Sequence, residues 1–350
     1  MNKSSNIFLF IFALSLAGCA TVQGPVVSRQ EINEETKQLE VKGLQHDMAQ
    51  LKKINEIGMH LISLIPADEI KTKSRPFIGL FVLPRNRVTN RMFDQRPSKG
   101  VYVGIILPNT PLAKADIRPG DVLTAIGEKK INDIDEVLKM MKKAMHHEEL
   151  KPGDTIDLHI VRDGEEKEIP VTIEELPVDV SFSIVNDETV NAGATENRIV
   201  VTQGMLNFID SDDELSSILA HELAHISRGH LNRKVAGEVV NSIISLSLGI
   251  TAEVFVPGVG DLVQAGAQST GQLFTRRFSR DLEREADYLG MKYYYKAGYD
   301  PDVMIMMHER MAIELPKTLV AGFLNTHPVS SERKLRLRKT LEELQTNATP

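Results

Sequence analysis

The chain has 350 residues, of which 42% are hydrophobic and 25% charged, enough apolar content for ordinary cores and enough length for two domains. Its 41 Lys and Arg are outnumbered by 48 Asp and Glu, for a net charge of −7, and no basic run occurs, which argues against nucleic acid as a partner. The single cysteine, Cys19, rules out a disulfide within the chain.

At the start, Lys3 precedes an apolar run from Ile7 to Leu16 that ends in Leu16-Ala17-Gly18-Cys19. Residues 1–18 read as a signal peptide, because the run is shorter than a comfortable membrane span. The L-A-G-C ending resembles a bacterial lipobox, which implies that Cys19 is the lipidation site and first residue of a mature chain anchored in the membrane of the cell envelope. Ala20, where an Asp would retain the protein, resembles the pattern sorted to an outer membrane facing the periplasm. Loss of residues 1–18 removes only Lys3, leaving 40 basic against 48 acidic side chains and a charge of −8.

Residues 19–74 read as a lipid-anchored spacer helix. The stretch begins polar and then turns apolar through Ile54, Ile57, Leu61, Ile62, Leu64 and Ile65, so its second half is expected to pack on another element. Pro66 and the KTKSRP run mark its end.

Between Phe77 and Leu176, strand-like runs alternate with turns, and Asp163-Gly164 between two alternating runs predicts a hairpin. The segment NTPLAKADIRPGDVLTAIGEKKINDIDEVLKMM resembles the PDZ segment of HtrA-type bacterial proteases, with a short helix before R-P-G-D and a longer one after the strand pair. The resemblance implies a PDZ domain over 75–176, a small barrel-like β-structure with two helices that takes extended peptides by strand addition and holds their terminal carboxylate on loop amides. That peptide loop falls at Ile78, Gly79 and Leu80, next to Phe77. The same residues suit a plain core strand, in which case the domain is structural or regulatory.

Residues 177–350 open with two strand-like runs, VDVSFSIVND and NRIVVTQGML, and continue into SDDELSSILAHELAHISRGH. Ser211 and Glu214 form an S-x-x-E capping signal, Asp212 and Asp213 complement the helix dipole, and Leu215, Ile218, Leu219 and Ile226 give a buried face. On that helix His221 and His225 lie about 40° apart and can share one metal ion, the HExxH pattern of a zinc site. Glu222, about 100° round from His221, is placed beside the metal as general base for an activated water. His230 falls about 180° from His221 on the wheel and is expected to face away. The longer HExxHxxGxxH pattern fails, with Arg228 and Leu231 at its Gly and third His positions.

A third ligand is expected from SRDLEREADYLG, residues 279–290. Glu283, Ala286, Asp287 and Gly290 share one helical face, and small residues beside a carboxylate suit close approach to a second helix. Glu285 points to nearly the opposite side, so Glu283 is the expected ligand, with Asp287 fixing the tautomer of a ligating histidine.

HELAH, EREAD with its YLG continuation, and HPVSSER at 327–333 together resemble the three signatures of metallopeptidase family forty-eight, the HtpX, CAAX prenyl protease, BepA and Oma-like zinc endopeptidases. The resemblance covers about residues 177–340 and implies Glu283 as third ligand, with His327 and Arg333 at the cleft. Within the family the matching histidine contacts the transition state or caps the metal as an autoinhibitory switch. NAGATENRIVV resembles the family's edge strand, implying that Asn191, Ile199 and Val201 border a strand that pairs with extended substrate. Gly193 and Glu196-Asn197-Arg198 depart from the usual bulky residue and Pro-Gly-Gly turn.

Residues 241–275, small and apolar, are read as core, with a lid over the cleft or a membrane contact as the functional alternatives. Met304, Met306, Met307 and Met311 suit core packing, and KLRLRKTLEELQ a surface helix.

The fold expected is therefore an α+β multidomain chain: signal and spacer helix, PDZ domain, and a mainly helical zincin-type metallopeptidase domain with a small β-sheet over 177–350. The activity implied is a zinc endopeptidase, one Zn2+ per chain, cleaving unfolded or misassembled polypeptides, with Glu222 moving the proton and His327 or Arg333 stabilising the oxyanion. Its partners would be extended polypeptides, an envelope protein at the PDZ domain and the membrane through Cys19. The alternative is a PDZ-bearing chaperone or assembly factor with a closed zinc site, against which Glu222 argues, since a structural site does not need that carboxylate.

Overall fold

The computed structural model describes residues 24–137, 140, 150–195, 197–230, 252–254, 278–315, 323, 327–328 and 330–347. The signal segment, Cys19, and all of 241–275 except residues 252–254 lie outside the described residues. Two compact units make up the chain, residues 1–39 and residues 40–350, and the second holds both cores and the candidate site.

Helix α1 (Arg29–Ile62) buries Leu51, Ile54, Ile57, Leu61 and Ile62 along its second half. Those residues join the larger core, so this part of the helix is a wall of the domain that follows and not a free spacer. Gly58 makes the contact possible: a Cβ there would lie 2.2 Å from the Phe182 ring. Any larger residue would force the helix off the sheet.

The barrel-like part begins with β1 (Arg75–Phe77), β2 (Leu80–Leu83), α2 (Arg87–Met92), β3 (Val101–Val103) and α3 (Pro111–Lys114). It continues with β4 (Val122–Ile126), β5 (Lys129–Lys130), β6 (Thr155–Arg162), β7 (Glu165–Thr172) and β8 (Glu174–Leu176). The expected hairpin joins β6 and β7, and Asp163 and Gly164 both take positive φ, 54° and 82°, as a tight two-residue turn requires. β1 closes antiparallel on β8, bringing the two ends of the segment together.

Three short strands follow: β9 (Ser181–Val185), β10 (Ala192–Ala194) and β11 (Arg198–Thr202). Their order is β10-β11-β9, so β11 is central and β10 is an edge among the described residues. Against this sheet packs a helical layer of α4 (Gln203–Phe208), α5 (Asp212–Ser227), α6 (Arg280–Lys296), α7 (Pro301–Glu314) and α8 (Ser331–Asn347).

Every residue from Leu215 to Ser227 is buried, which makes α5 the axis of the layer and not a one-faced surface helix. Ser211 caps it by accepting from the Glu214 amide at 3.1 Å. The returning half of the capping box is displaced, because Glu214 accepts from the Asp210 amide at 2.7 Å and is clamped by Arg310. Met304, Met307 and Met311 lie in the core, whereas Met306 is exposed.

β12 (Ala252–Val254) runs parallel to β2 and completes a sheet of order β12-β2-β3-β4-β6-β7. The outer edge of β2, where strand addition is expected, is thus paired to the chain's own backbone. Ile78 and Leu80 are interior to the barrel core, so their side chains follow the core-strand alternative and do not line a groove. Gly79, at φ 79°, bends the loop between them; a Cβ there would press on Thr110 at 2.9 Å.

Candidate metal centre

Helices α5 and α6 lie in close contact, and their approach sets the geometry of the site. Ala286 and Gly290 supply the small surface that permits it, as the sequence pattern anticipates: a Cβ on Gly290 would stand 3.1 Å from His221 Cα. Glu283 thereby reaches the two histidines of α5, with Oε2 3.6 Å from His221 Nε2 and Oε1 3.4 Å from His225 Nε2. The two imidazole Nε2 atoms are 3.2 Å apart.

These separations test whether a metal fits. For ligand bonds of about 2.0–2.1 Å, the edge of a tetrahedron is roughly 3.3 Å, and the three observed edges scatter about that length. Two neutral imidazoles have little reason to face each other through unprotonated nitrogens, whereas a shared cation gives both a partner. His327 completes the set: its Nδ1 lies 3.2 Å from His221 Nε2 and 2.9 Å from Glu283 Oε1. The four ligand atoms, one each from His221, His225, Glu283 and His327, lie within 4.8 Å of one another. The donor set of three imidazoles and a carboxylate suits zinc.

Glu222 is fully buried, and neither carboxylate oxygen has a hydrogen-bond partner; His327 Nε2, 3.2 Å from Oε1, is the facing group. Leaving a buried carboxylate uncommitted costs several kcal/mol, so its retention calls for a task.

Around this shell the supports are layered. Asp287 Oδ1 stands 3.2 Å from His221 Nδ1, the orienting position expected for it. Arg333 holds Asp287 with two hydrogen bonds of 2.7 and 2.6 Å, and its third nitrogen reaches Glu283 Oε2 at 3.0 Å and the Pro328 carbonyl at 3.1 Å. The expectation that Arg333 stabilises an oxyanion is corrected accordingly. Its guanidinium is buried and committed to carboxylates behind the ligands, so it acts as a positioning residue.

The electrostatics follow from these contacts. Burial raises the Asp287 carboxyl, but the Arg333 guanidinium and the His221 contact outweigh it and hold it well below the usual carboxylate range. For Glu283, burial is likewise overcome, here by His225, His327 and His221. Burial pushes the His225 imidazole well down, so it stays neutral and able to bind a metal.

Two further corrections concern the periphery. His230 does not face away: its Nδ1 is 3.0 Å from His225 Nδ1 and its Nε2 is 3.2 Å from Glu285 Oε2. The wheel fails because α5 ends at Ser227, Gly229 takes φ 67°, and the His230 amide folds back to the His225 carbonyl. Ile199 and Val201 sit on the central strand β11, paired on both sides, so an extended substrate cannot add to them. Asn191 is buried just before the edge strand β10, and any free edge belongs to residues 192–194.

Phe278 and Phe323 were not identified from the sequence as part of the site. Phe278 stacks on His225 with centroids 3.9 Å apart, and Phe323 stacks on His327 at 4.6 Å. An isolated Phe carries no sequence signal of such a role. His308, buried beside Asp287 at 3.9 Å, was missed for the same reason.

Comparison with known proteins bears on the same two parts of the chain. Residues 171–341 match peptidase family M48, and residues 76–173 match the PDZ domain. The mitochondrial metalloendopeptidase OMA1 of Arabidopsis thaliana is 32% identical over 43% of this chain and 29% of its own length. OMA1 of Schizosaccharomyces pombe is 31% identical over 46% of this chain and 47% of its own. The beta-barrel assembly-enhancing protease of Yersinia pestis is 26% identical over 48% of this chain and 36% of its own. The chain thus spans less than half the length of each of these relatives.

Proposed function

We propose that this chain, whose residues 171–341 belong to peptidase family M48 and are preceded by a PDZ domain, is a zinc-dependent endopeptidase acting on unfolded or misassembled proteins of the bacterial cell envelope. The observation that carries the reading is the triangle of His221, His225 and Glu283 donor atoms at zinc spacing, with the uncommitted carboxylate of Glu222 beside it. Zinc, when bound, supplies Lewis acidity that polarises a carbonyl and brings the pKa of water to about 7. Glu222 takes the proton of the attacking water and returns it to the leaving amine. Asp287 and Arg333 keep the His221 ring and Glu283 in place. Phe278 and Phe323 keep water from the ring faces of His225 and His327.

The substrate class follows from the sheet. β10 offers the backbone edge nearest the metal helix, and such an edge suits chains whose own amides are unpaired. A peptide that adds to β2 of the PDZ domain must displace Ala252–Val254, which favours a regulatory use of that domain. Anchoring through Cys19 rests on the Leu16-Ala17-Gly18-Cys19 ending; mass spectrometry of the mature chain would reveal a diacylglyceryl adduct, and an unmodified thiol would remove the anchor.

Cleavage of casein by the wild type and by Glu222→Gln, with zinc content determined on both, tests the enzyme reading. A fall of about 10²–10⁴-fold in a variant that still holds zinc is expected. Equal activity would refute the assignment of Glu222, and two zinc-loaded but inactive proteins would favour the chaperone alternative. One observation supports a latent resting state: His327 stands at the fourth vertex of the ligand set, where a substrate carbonyl must enter.

A further inference from the structure

The two ligating imidazoles are supported differently. His221 meets a carboxylate directly, Asp287, which lies on the same face of α6 as Glu283. His225 Nδ1 meets no carboxylate; it faces His230 Nδ1 at 3.0 Å. Beyond it, His230 Nε2 is 3.2 Å from Glu285 Oε2, and Glu285 Oε1 is held by Arg228 Nε at 2.6 Å. Only 4% of the His230 side chain is exposed, so its nitrogens have no ready exchange with water.

We infer that His230, oriented by Glu285, is a positioning residue that fixes the tautomer and ring angle of the zinc ligand His225. The inference rests on the zinc site proposed above. Hydrogen bonding leaves one consistent arrangement. A His225 that ligates through Nε2 carries its proton on Nδ1 and donates it to His230. His230 Nδ1 must then present its lone pair, which puts its own proton on Nε2, facing Glu285. Any other assignment sets two N–H groups, or two lone pairs, against each other.

The backbone explains how residues on apparently wrong faces meet. Glu285 is two residues from Glu283 on α6 and points to the far side of that helix. After α5 ends, the turn at Gly229 brings His230 back beside its own helix and within reach of that far side. Arg228, the residue after α5, reaches the same carboxylate. Thus α6 supports both histidines, one through Asp287 and the other through Glu285 and an intervening imidazole.

Zinc affinity of the full chain, measured by competition with a chelating dye, tests this without reference to turnover. Removing such a support costs about 10–100-fold in metal affinity, so His230→Ala should lose that much. His230→Asn places an amide oxygen where Nδ1 stood; it should recover most of the loss, which a purely packing role would not predict. Glu285→Ala, a substitution at a half-exposed residue, should also weaken binding and keeps the test open if His230→Ala fails to fold. Affinity unchanged within twofold in His230→Ala and Glu285→Ala, or an equal loss in the Ala and Asn variants, overturns the inference while leaving the zinc site intact. A wild type that binds no zinc overturns both.

Discussion

Gly290 presents bare backbone to His221: a Cβ would lie 3.1 Å from His221 Cα and 3.2 Å from the carbonyl oxygen of Ala220. Both obstacles are main chain and cannot rotate away. Gly290→Ala gains about 1 kcal/mol of helix propensity but incurs about 1–3 kcal/mol of overpacking. These nearly offset, so thermal unfolding of the metal-free protein should shift little. The helices must nevertheless part by a few tenths of an ångström, moving Glu283 and Asp287 relative to His221. Zinc affinity and casein cleavage should fall well before stability does; unchanged zinc affinity would mean that the helix contact does not set the ligand geometry.

Arg333 neutralises two buried carboxylates, Asp287 and Glu283. Arg333→Ala leaves both without their cation, a loss of about 3–5 kcal/mol by chemical denaturation of the metal-free protein. Arg333→Lys should recover little, because an ammonium cannot reproduce the paired hydrogen bonds to Asp287 and still reach Glu283. Zinc should partly compensate in either variant by supplying positive charge to Glu283. A lysine variant as stable as the wild type would show that charge alone, and not the fork geometry, matters there.

The ligand set was legible because it is local. His221 and His225 are one turn apart, and Glu283 with Ala286, Asp287 and Gly290 spells a carboxylate on a close-packing face. Helical arithmetic settles such cases. It misplaced His230 because it assumes the helix continues, whereas Gly229 ends it and turns the chain back. The Gly itself was the available signal, a C-terminal breaker immediately before the histidine. Arg333 was placed at the cleft, but whether it faces substrate or the back of the ligands depends on its partners 46 residues away, which no local pattern encodes. In the sheet, the strand-like runs were readable, but strand order was not, so Ile199 and Val201 were assigned to an edge that β10 occupies.

His327 bridges Glu283 at 2.9 Å and Glu222 at 3.2 Å, standing between the third ligand and the proposed base. Its removal should open the fourth vertex and free Glu222. His327→Ala is therefore expected to keep zinc bound, with some loss of affinity, and to cleave casein faster than the wild type. A loss of cleavage with zinc retained would instead make His327 a contact to the transition state.

His308 gives a pH dependence that zinc chemistry does not supply. It is buried, its Nδ1 donates to the Met304 carbonyl at 3.0 Å, and its Nε2 has no hydrogen-bond partner. Burial, aided by the nearby Arg333 charge, lowers its pKa from the ordinary value of 6.5 to about 4. As pH falls below 6.5 the unfolded chain takes up a proton that the folded protein refuses until about pH 4, so stability drops across that window and levels below it. The slope approaches about 1.4 kcal/mol per pH unit, and the whole window amounts to roughly 3 kcal/mol. His308→Leu removes the titrating group from a site of similar volume. Denaturant unfolding of both proteins between pH 5 and 7 should show the variant losing less stability on acidification, by nearly one proton's worth of slope. Parallel curves would mean that His308 takes up its proton in the folded state.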